Sequence, residues 1–163
     1  MERLISSHVR HAILTPTVLF ACLCLAARTD GAARGKVKTQ DYDGKVAPLA
    51  ELLEKFGARL DADAAPSWLA LVTKDGTVYP LIKDDGSRMF FKDKRLLNRP
   101  MRLTGRLHPG SHLLQVVSVH TIVKGKLCEV YYWCDICTIK RYENKRCDCC
   151  GGPMMLREEP VEK

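Results

Sequence analysis

The sequence predicts a mainly β protein, in which a small β-barrel begins with one amphipathic helix and ends in a cysteine-rich module. Apolar and polar residues alternate over much of residues 69–133, and Asp-Gly pairs interrupt the alternation where hairpin turns are expected. A preceding segment has its apolar residues at helical spacing instead. Six of the eight cysteines lie in the last 36 residues, which indicates a separate module at that end.

Length, composition and charge limit the class of protein. The chain has 163 residues, which suits one domain with a small additional module, and it is 46% hydrophobic, which is typical of a folded globular protein. Its net charge of +7 is compatible with an anionic partner but does not identify one. The partner is therefore left unknown: an anionic ligand or a protein of the cell envelope is possible, and contact with a membrane only through an uncleaved N-terminal segment.

Residues 1–27 have the pattern of a secretory signal peptide. Arg3 and Arg10 make the first segment basic, residues 12–27 are largely apolar, and small residues precede a polar stretch. We expect cleavage after Ala27 or one residue earlier, with export to the periplasm or the exterior of a bacterial cell. An uncleaved membrane anchor is the alternative, although a span usually needs about 20 apolar residues.

Two segments are predicted between the signal peptide and the sheet. Residues 28–46 are polar and show no apolar period, so we expect a flexible linker. From Leu49 onward, apolar residues recur at spacings of three and four, which is typical of a helix, and Pro48 suits its first turn. We expect the apolar face of this helix to pack on the sheet. That face consists of Leu49, Leu52, Leu53, Phe56 and Leu60.

The helix and the sheet together are predicted to occupy residues 47–127. Short runs of alternating residues are separated by turn signals, and Gly105 within one run suggests a β-bulge where the sheet curls. The predicted strands are a hairpin over residues 69–82 that turns at Asp75-Gly76, a short strand at 88–91, and further strands at 101–107, 113–119 and 127–133.

This strand pattern resembles an OB-type barrel. The segments that carry the resemblance are the hairpin at 69–82, the strand at 101–107 with its Gly105, and the strand at 113–119. The resemblance implies a sheet face that binds oligonucleotides or oligosaccharides through aromatic and basic side chains. An exported protein meets little nucleic acid, so we expect nucleic acid to be an unlikely partner. The candidate ligand-binding residues on this interpretation are Tyr79, Arg88, Phe90 and Arg102.

The C-terminal module, residues 128–163, contains two C-x2-C hooks. Cys134 and Cys137 form the first hook, and Cys147 and Cys150 form the second hook, which is followed by two glycines. Four thiolates at this spacing can converge on one tetrahedral metal ion, and Zn²⁺ takes such ligands at about 2.3 Å. The four cysteines are therefore the candidate ligands of a structural Zn²⁺ ion.

The two hooks resemble the paired knuckles of zinc ribbons and rubredoxins, over residues 134–152. The second hook matches that pattern well, whereas the first has Thr138 in place of the usual glycine. The short spacer between the hooks favours structural zinc over an electron-transferring iron site. We expect Cys128 to be a small buried side chain and Cys149 to point away from the metal.

Other uses of the cysteines remain open at this point. An oxidising compartment would allow disulfides, and six cysteines permit fifteen connectivities. Either hook could serve a thiol–disulfide oxidoreductase, although each lacks the expected helix start. Met154 and Met155 follow the second hook, and thiolate with thioether would suit Cu(I).

The sequence therefore favours an exported, non-catalytic protein of the cell envelope that binds a ligand or acts as a scaffold and is stabilised by zinc. The combination of barrel and ribbon resembles exported bacterial proteins to which no activity is attached, so this resemblance implies no reaction. The alternatives are a thiol–disulfide oxidoreductase or copper-handling protein, and a polyanion-binding OB module.

Overall fold

A computed structural model describes residues 37–161 of the chain. The signal peptide predicted for residues 1–27 and the first part of the predicted linker lie outside the described residues. The described part is mainly β, as the sequence predicts, and its strands belong to one antiparallel sheet. None of the helices in this part is long and apolar enough to cross a membrane.

Eight strands and two short α-helices make up the described fold. The strands are β1 (Thr39–Pro48), β2 (Leu69–Thr73), β3 (Val78–Pro80), β4 (Pro100–Leu107), β5 (Leu114–Val123), β6 (Lys126–Cys134), β7 (Ile139–Arg141) and β8 (Met155–Pro160). The helices are α1 (Leu49–Glu54) and α2 (Arg88–Lys92), and single 3-10 turns occupy Ala65–Ser67 and Lys94–Leu96.

The sheet has the strand order β3-β2-β1-β4-β5-β6-β7, and β8 pairs with β6. The long strand β1 pairs with both β2 and β4. An isolated parallel bridge joins Leu81, just after β3, to Leu114 at the start of β5, and the amide of Ile82 donates to the carbonyl of Leu114. The two ends of the five-strand segment β3-β2-β1-β4-β5 therefore meet.

Alternate residues of the strands point into one core. Val46, Leu71, Leu103, Val130 and Tyr132 are completely buried there, as the two-residue period of a strand with one buried face requires. Cys134, Cys147 and Met154 belong to the same cluster of buried residues. The cysteine-rich end of the chain is therefore packed into the core of the sheet rather than appended to it.

Strand β1 corrects the linker prediction, because the chain is extended and paired from Thr39 onward. Tyr42 and Val46 are buried between the neighbouring strands, whereas Asp41 and Asp43 face outward. Their partners lie on β4: Thr104 donates to Asp41, and Arg102 makes two hydrogen bonds to Asp43. The polar composition of this stretch reflects the exposed face of a strand rather than a flexible segment.

The helix after β1 is shorter than predicted. It ends at Glu54, and none of its residues is fully buried. Leu49, Leu52 and Leu53 are half-buried, but the side chain of Phe56 is 82% exposed, so the prediction that Phe56 packs on the sheet is wrong. Because the helix ends at Glu54, Phe56 lies outside it and does not extend the apolar face formed by the leucines.

The strand predicted at residues 88–91 is helix α2. Met89 and Phe90 are both buried, and two consecutive buried side chains fit a helical face better than the alternation of a strand with one buried side. The hydroxyl of Ser87, which is itself buried, donates to the carbonyl of Ile82 at 2.5 Å. This bond holds the turn that leads into the helix.

A buried polar network attaches the segment after α2 to strand β6. The Tyr132 hydroxyl donates to Asp93 Oδ2 at 2.8 Å, and the Arg95 guanidinium donates to the same carboxylate at 2.6 Å. Asp93 is 4% exposed and Tyr132 is completely buried. The guanidinium of Arg95, with help from the Tyr132 hydroxyl, holds the pKa of the Asp93 carboxyl below its usual range despite burial.

We expect Tyr132→Phe to lower the free energy of unfolding by about 1–2 kcal/mol, because the change removes a buried hydrogen bond to a charged acceptor that Arg95 still satisfies. Urea denaturation of the two proteins measures the difference. Tyr142→Phe is the matched control, since that hydroxyl is exposed and its loss should cost less than about 0.5 kcal/mol. Equal effects of the two changes would contradict a structural role for the buried network.

Candidate metal centre

The structure brings Cys134, Cys137, Cys147 and Cys150 together. Their Sγ atoms all lie within 4.8 Å of one another. Cys134 is the last residue of β6, and Cys137 lies in the turn that leads into β7. Cys147 and Cys150 belong to the turn that precedes β8. Because β7 and β8 both pair with β6, the sheet itself holds the two hooks next to each other.

The first hook is a tight turn closed by its own backbone. The amide of Thr138 donates to the carbonyl of Cys134 at 2.8 Å, and the amide of Cys137 points to Cys134 Sγ at 3.5 Å. Thr138 has a φ of 54°, in the left-handed region that a β-branched residue rarely adopts. The threonine therefore takes the conformation that glycine usually supplies at this position.

The second hook has the same construction. The amide of Gly151 donates to the carbonyl of Cys147 at 2.9 Å, and the amide of Gly152 points to Cys150 Sγ at 3.4 Å. Gly151 has a φ of 68°, which costs glycine nothing. The two hooks thus share the backbone bond that closes the turn and the left-handed residue after the second cysteine, whereas the N–H group points to the first sulfur in one hook and to the second sulfur in the other.

The sulfur separations fit one tetrahedral ion. Four ligands at about 2.3 Å from a central Zn²⁺ lie about 3.8 Å from one another. Cys134 Sγ and Cys150 Sγ, one from each hook, are 3.6 Å apart. All six cysteines of the described part are free of disulfide bonds. The four sulfurs could therefore hold a metal ion.

Each hook offers one buried and one more accessible sulfur. Cys134 is 1% exposed and Cys147 is 4% exposed, whereas Cys137 is half-buried and Cys150 is exposed. The first cysteine of each hook belongs to the hydrophobic core, and Met154 packs in the same cluster. An ion held between the hooks would connect the core to the surface turns.

The backbone favours ionisation at the second hook. The backbone amides of Cys150 and Cys149 point to the sulfur of Cys147 and lower the pKa of Cys147 to about 7. The pKa of Cys137 is raised, chiefly because its thiol hydrogen-bonds to Cys149 and Cys150. A divalent cation would remove this conflict, since it would attract all four thiolates and displace their protons.

Three basic side chains make contacts to the turn of the second hook. A divalent ion with four thiolates carries about −2. Arg146 Nε donates to the carbonyl of Gly151 at 2.8 Å, and Lys145 pairs with Asp148 at 3.0 Å. Arg141 also pairs with Asp148, at 3.3 Å. The spacer between the hooks therefore supplies positive charge as well as chain length.

The other two cysteines of the described part lie outside the four-sulfur cluster. Cys128 is buried in β6, where its thiol is directed at the carbonyl of Lys126 at 3.7 Å. Cys149 is exposed within the second turn. The position of Cys128 agrees with a small core side chain, whereas the thiol of Cys149 hydrogen-bonds to that of Cys137, so the prediction that it points away from the cluster is not supported.

The structure does not gather the four candidate ligand-binding residues into one site. Phe90 is 1% exposed in the core, so its prediction as a ligand contact is wrong. Tyr79 stacks edge-on against Tyr42, with ring centres 5.3 Å apart, and Arg102 is engaged by Asp43.

Arg88 lies elsewhere, in α2. It pairs with Asp85 and, at 3.6 Å, with Glu143. Two of the three polar candidates, Arg88 and Arg102, therefore already have acidic partners, which fits charged side chains on a solvated surface.

Sequence reasoning missed the contacts that attach the cysteine-rich module to the sheet. Glu129 of β6 accepts from Lys140 at 2.8 Å and from Tyr142 at 2.7 Å, and Lys92 of α2 pairs with Glu143. These partners are distant in sequence, and each residue alone is an ordinary surface side chain. No local pattern could have identified them.

Comparison of the chain with protein-family models, with curated proteins and with solved structures gives no match. What the site can do therefore follows from its own geometry.

We expect Cys134→Ser and Cys150→Ser each to abolish stoichiometric metal binding and to unfold the turns around the hooks, because serine supplies no thiolate. Elemental analysis of the purified variants measures the bound metal. Cys128→Ser and Cys149→Ser are the matched controls and should retain it. Metal loss in Cys149→Ser with retention in Cys150→Ser would show that the ligand assignment is wrong.

The positive-φ residues of the two hooks should respond in opposite ways. Gly151→Ala should lower the free energy of unfolding by about 1–2 kcal/mol, since a Cβ is disfavoured in this conformation. Thr138→Gly should leave stability unchanged or raise it, because it relieves the same strain. Thermal unfolding of the metal-loaded variants tests both, and a marked loss in Thr138→Gly would contradict this account.

Proposed function

We propose that the chain is an exported, non-catalytic binding or scaffold protein of the cell envelope, in which an OB-like barrel is stabilised by a structural Zn²⁺ ion. The observation that carries the proposal is the convergence of four sulfurs from two matching hooks within 4.8 Å. The barrel would supply the binding surface, and the ion would hold the C-terminal strands to it.

The strand connections support the OB-like part of the proposal. An OB barrel is a partly open Greek-key barrel of five strands. Here β1 pairs with both β2 and β4, a parallel bridge joins Leu81 to Leu114, and α2 lies between β3 and β4. The register shift between Thr104 and Gly105 is a bulge of the kind that helps a sheet to curve.

The donor set supports a structural rather than a catalytic ion. Four cysteine sulfurs complete a tetrahedral shell, whereas a catalytic zinc site keeps one position for water or substrate. Two of the sulfurs are buried in the core. The first hook forms the β6–β7 turn and the second lies between β7 and β8, an arrangement that supports a zinc-ribbon interpretation.

The energetic role of the ion follows from its position. Strand β7 has three residues, and the spacer between the hooks is polar and largely exposed. Such a segment buries little apolar surface of its own. Structural zinc can contribute about 10–16 kcal/mol of apparent binding free energy to a small module, which is ample to hold these turns.

Export is proposed from the sequence. The basic start of the chain and the apolar run at residues 12–27 support a signal peptide. Tetrathiolate zinc is compatible with an oxidising compartment, because bound thiolates are shielded from disulfide exchange.

A thiol–disulfide oxidoreductase is the second candidate, and one observation favours it. The pKa of Cys147 is lowered to about 7, and a thiolate at neutral pH is the reactive form of cysteine. Against this, Cys147 is 4% exposed, so a substrate disulfide has little access to its sulfur.

Metal content combined with a free-thiol count tests the proposal on the purified chain. We expect one zinc ion per chain, with the four hook thiols reacting only after chelation or unfolding. Chelation should also lower the thermal midpoint, because the buried sulfurs belong to the core. Absence of metal together with oxidised hooks would contradict the proposal and favour the oxidoreductase.

A further inference from the structure

The outward face of the sheet carries a row of mostly apolar side chains. The row crosses β2, β1, β4, β5 and β6 and ends just after β8, and the pairing of the strands sets its register. On each of the five strands, the row residue lies next to a buried residue and therefore points outward. At the usual spacing of strands the row is about 24 Å long. We call it the outer row, and it consists of Val72, Lys45, Pro100, Ile122, Leu127 and Val161.

A cleft of about 580 Å³ lies at the β8 end of the outer row. Its volume is in the range of small-molecule sites. Ile122, Leu127, Pro160 and Val161 supply aliphatic surface to its lining. Val161 is 45% exposed, Pro160 is exposed, and the other two are half-buried. The floor of the cleft is therefore an aliphatic surface that a ligand can reach from solvent.

The charge at this cleft is positive and only partly engaged. Lys126 and Arg102 line it, and within residues 37–161 no acidic side chain does. Arg102 is engaged by Asp43, whereas Lys126 forms no ion pair with any residue of that range. Lys124, two positions before Lys126, is likewise exposed and unpaired there. Two lysines at this end of the row are therefore free to meet an anion.

The β5–β6 connection holds these lysines in place. It is a two-residue turn at Lys124 and Gly125, whose φ values are 49° and 77°. Positive φ at both positions is what the tightest hairpin turns require. Glu158 lies in the adjoining depression with Lys124 and Lys126, but its carboxylate is bound by Arg99 at 2.7 Å. The acidic neighbour of the turn is therefore already engaged, and the lysines are not.

The aliphatic floor continues beyond the cleft. Ile122 also lines a second depression of about 270 Å³, together with Val72 and Pro100. In the part of the chain that the structure describes, no aromatic residue lines either depression. Nucleic-acid bases are bound largely by stacking on aromatic rings, so the outer row favours an aliphatic partner over a nucleic acid.

We infer that the outer row binds a single-chain aliphatic anion, with its carboxylate beside Lys126 and Lys124 and its alkyl chain along Leu127 and Ile122. Charge-assisted hydrogen bonds from the ammonium groups would hold the carboxylate. The alkyl chain would remove apolar surface from water, both its own and that of the floor. The inference rests on the proposed function, since it assigns the ligand class of the binding protein proposed above.

The test uses the full chain, loaded with zinc, and dodecanoate below its micellar concentration as the probe. A ¹⁵N–¹H NMR titration should show saturable shifts at Ile122, Gly125, Lys126 and Val161, with a dissociation constant of about 1 mM. Hexanoate should bind about tenfold more weakly, because it buries fewer methylene groups. Dodecyltrimethylammonium, with the same chain and the opposite charge, should also bind about tenfold more weakly.

Either control can overturn the inference. Equal affinities for dodecanoate and dodecyltrimethylammonium would show that the lysines do not select an anion. Equal affinities for dodecanoate and hexanoate would show that the aliphatic row does not hold a chain. Vesicles of phosphatidylglycerol should not retain the protein, and retention on them without shifts from dodecanoate would replace the single-chain ligand by a membrane surface.

Variants of the lysines locate the head group. Lys126→Met should weaken dodecanoate binding about threefold, and the double variant Lys124→Met, Lys126→Met about tenfold. Lys55→Met and Lys94→Met are the matched controls, since these exposed lysines lie outside the row and remove the same charge. An unchanged affinity in the double variant, or an equal loss in the controls, would overturn the assignment of the head group.

A variant of the floor locates the chain. Val161→Glu should weaken dodecanoate binding about fivefold, because it places a carboxylate on the aliphatic surface. Val117→Glu is the matched control, at a valine that is 50% exposed outside the row, and it should bind as the unchanged protein does. Equal effects of the two variants would contradict binding along the outer row.

Zinc content, measured on the same sample, separates this inference from the proposed function. A zinc-loaded, folded chain that gives no saturable shifts with dodecanoate would overturn the inference and leave the zinc-stabilised protein standing. A chain without zinc that still binds dodecanoate through Lys126 would support the outer row and contradict the metal centre.

Discussion

The convergence of two cysteine hooks on one point is the constraint on which the C-terminal half of the structure depends. The first sulfur of each hook is buried in the core, and the second lies nearer to solvent. Free thiols so close together have conflicting pKa shifts, with that of Cys147 lowered and that of Cys137 raised. A divalent ion would resolve the conflict, because it would attract all four thiolates.

Strand β6 connects the cysteine hooks to the rest of the sheet. It ends in Cys134, pairs with β5, β7 and β8, and buries Tyr132 against Asp93. Its outward residue Glu129 binds Lys140 and Tyr142 from the segment after the first hook. The candidate metal centre and the sheet therefore share one strand, and a change at the hooks should alter the stability of both.

The sequence predicts the sheet best where one face is buried. The hairpin at residues 69–82 and the strand with Gly105 form as expected, because alternation and Asp-Gly turns are local signals. Strand β1 was missed because its outward residues are charged and its polar composition suggested a linker. The segment at 88–91 was predicted as a strand because Phe90 and Phe91 have a high strand propensity. Tertiary packing makes it a helix instead.

The sequence by itself identified the candidate ligand set, because a C-x2-C hook brings two sulfurs together within one turn, and the glycine after Cys150 suits the positive φ that the turn needs. Only the tertiary structure decided what surrounds the hooks. The Tyr132–Asp93 bond joins residues 39 positions apart, and the Arg99–Glu158 pair joins residues 59 positions apart. Contacts of this kind depend on which strands become neighbours, and the free energy of closing such long loops is supplied by the assembled core rather than by any local pattern.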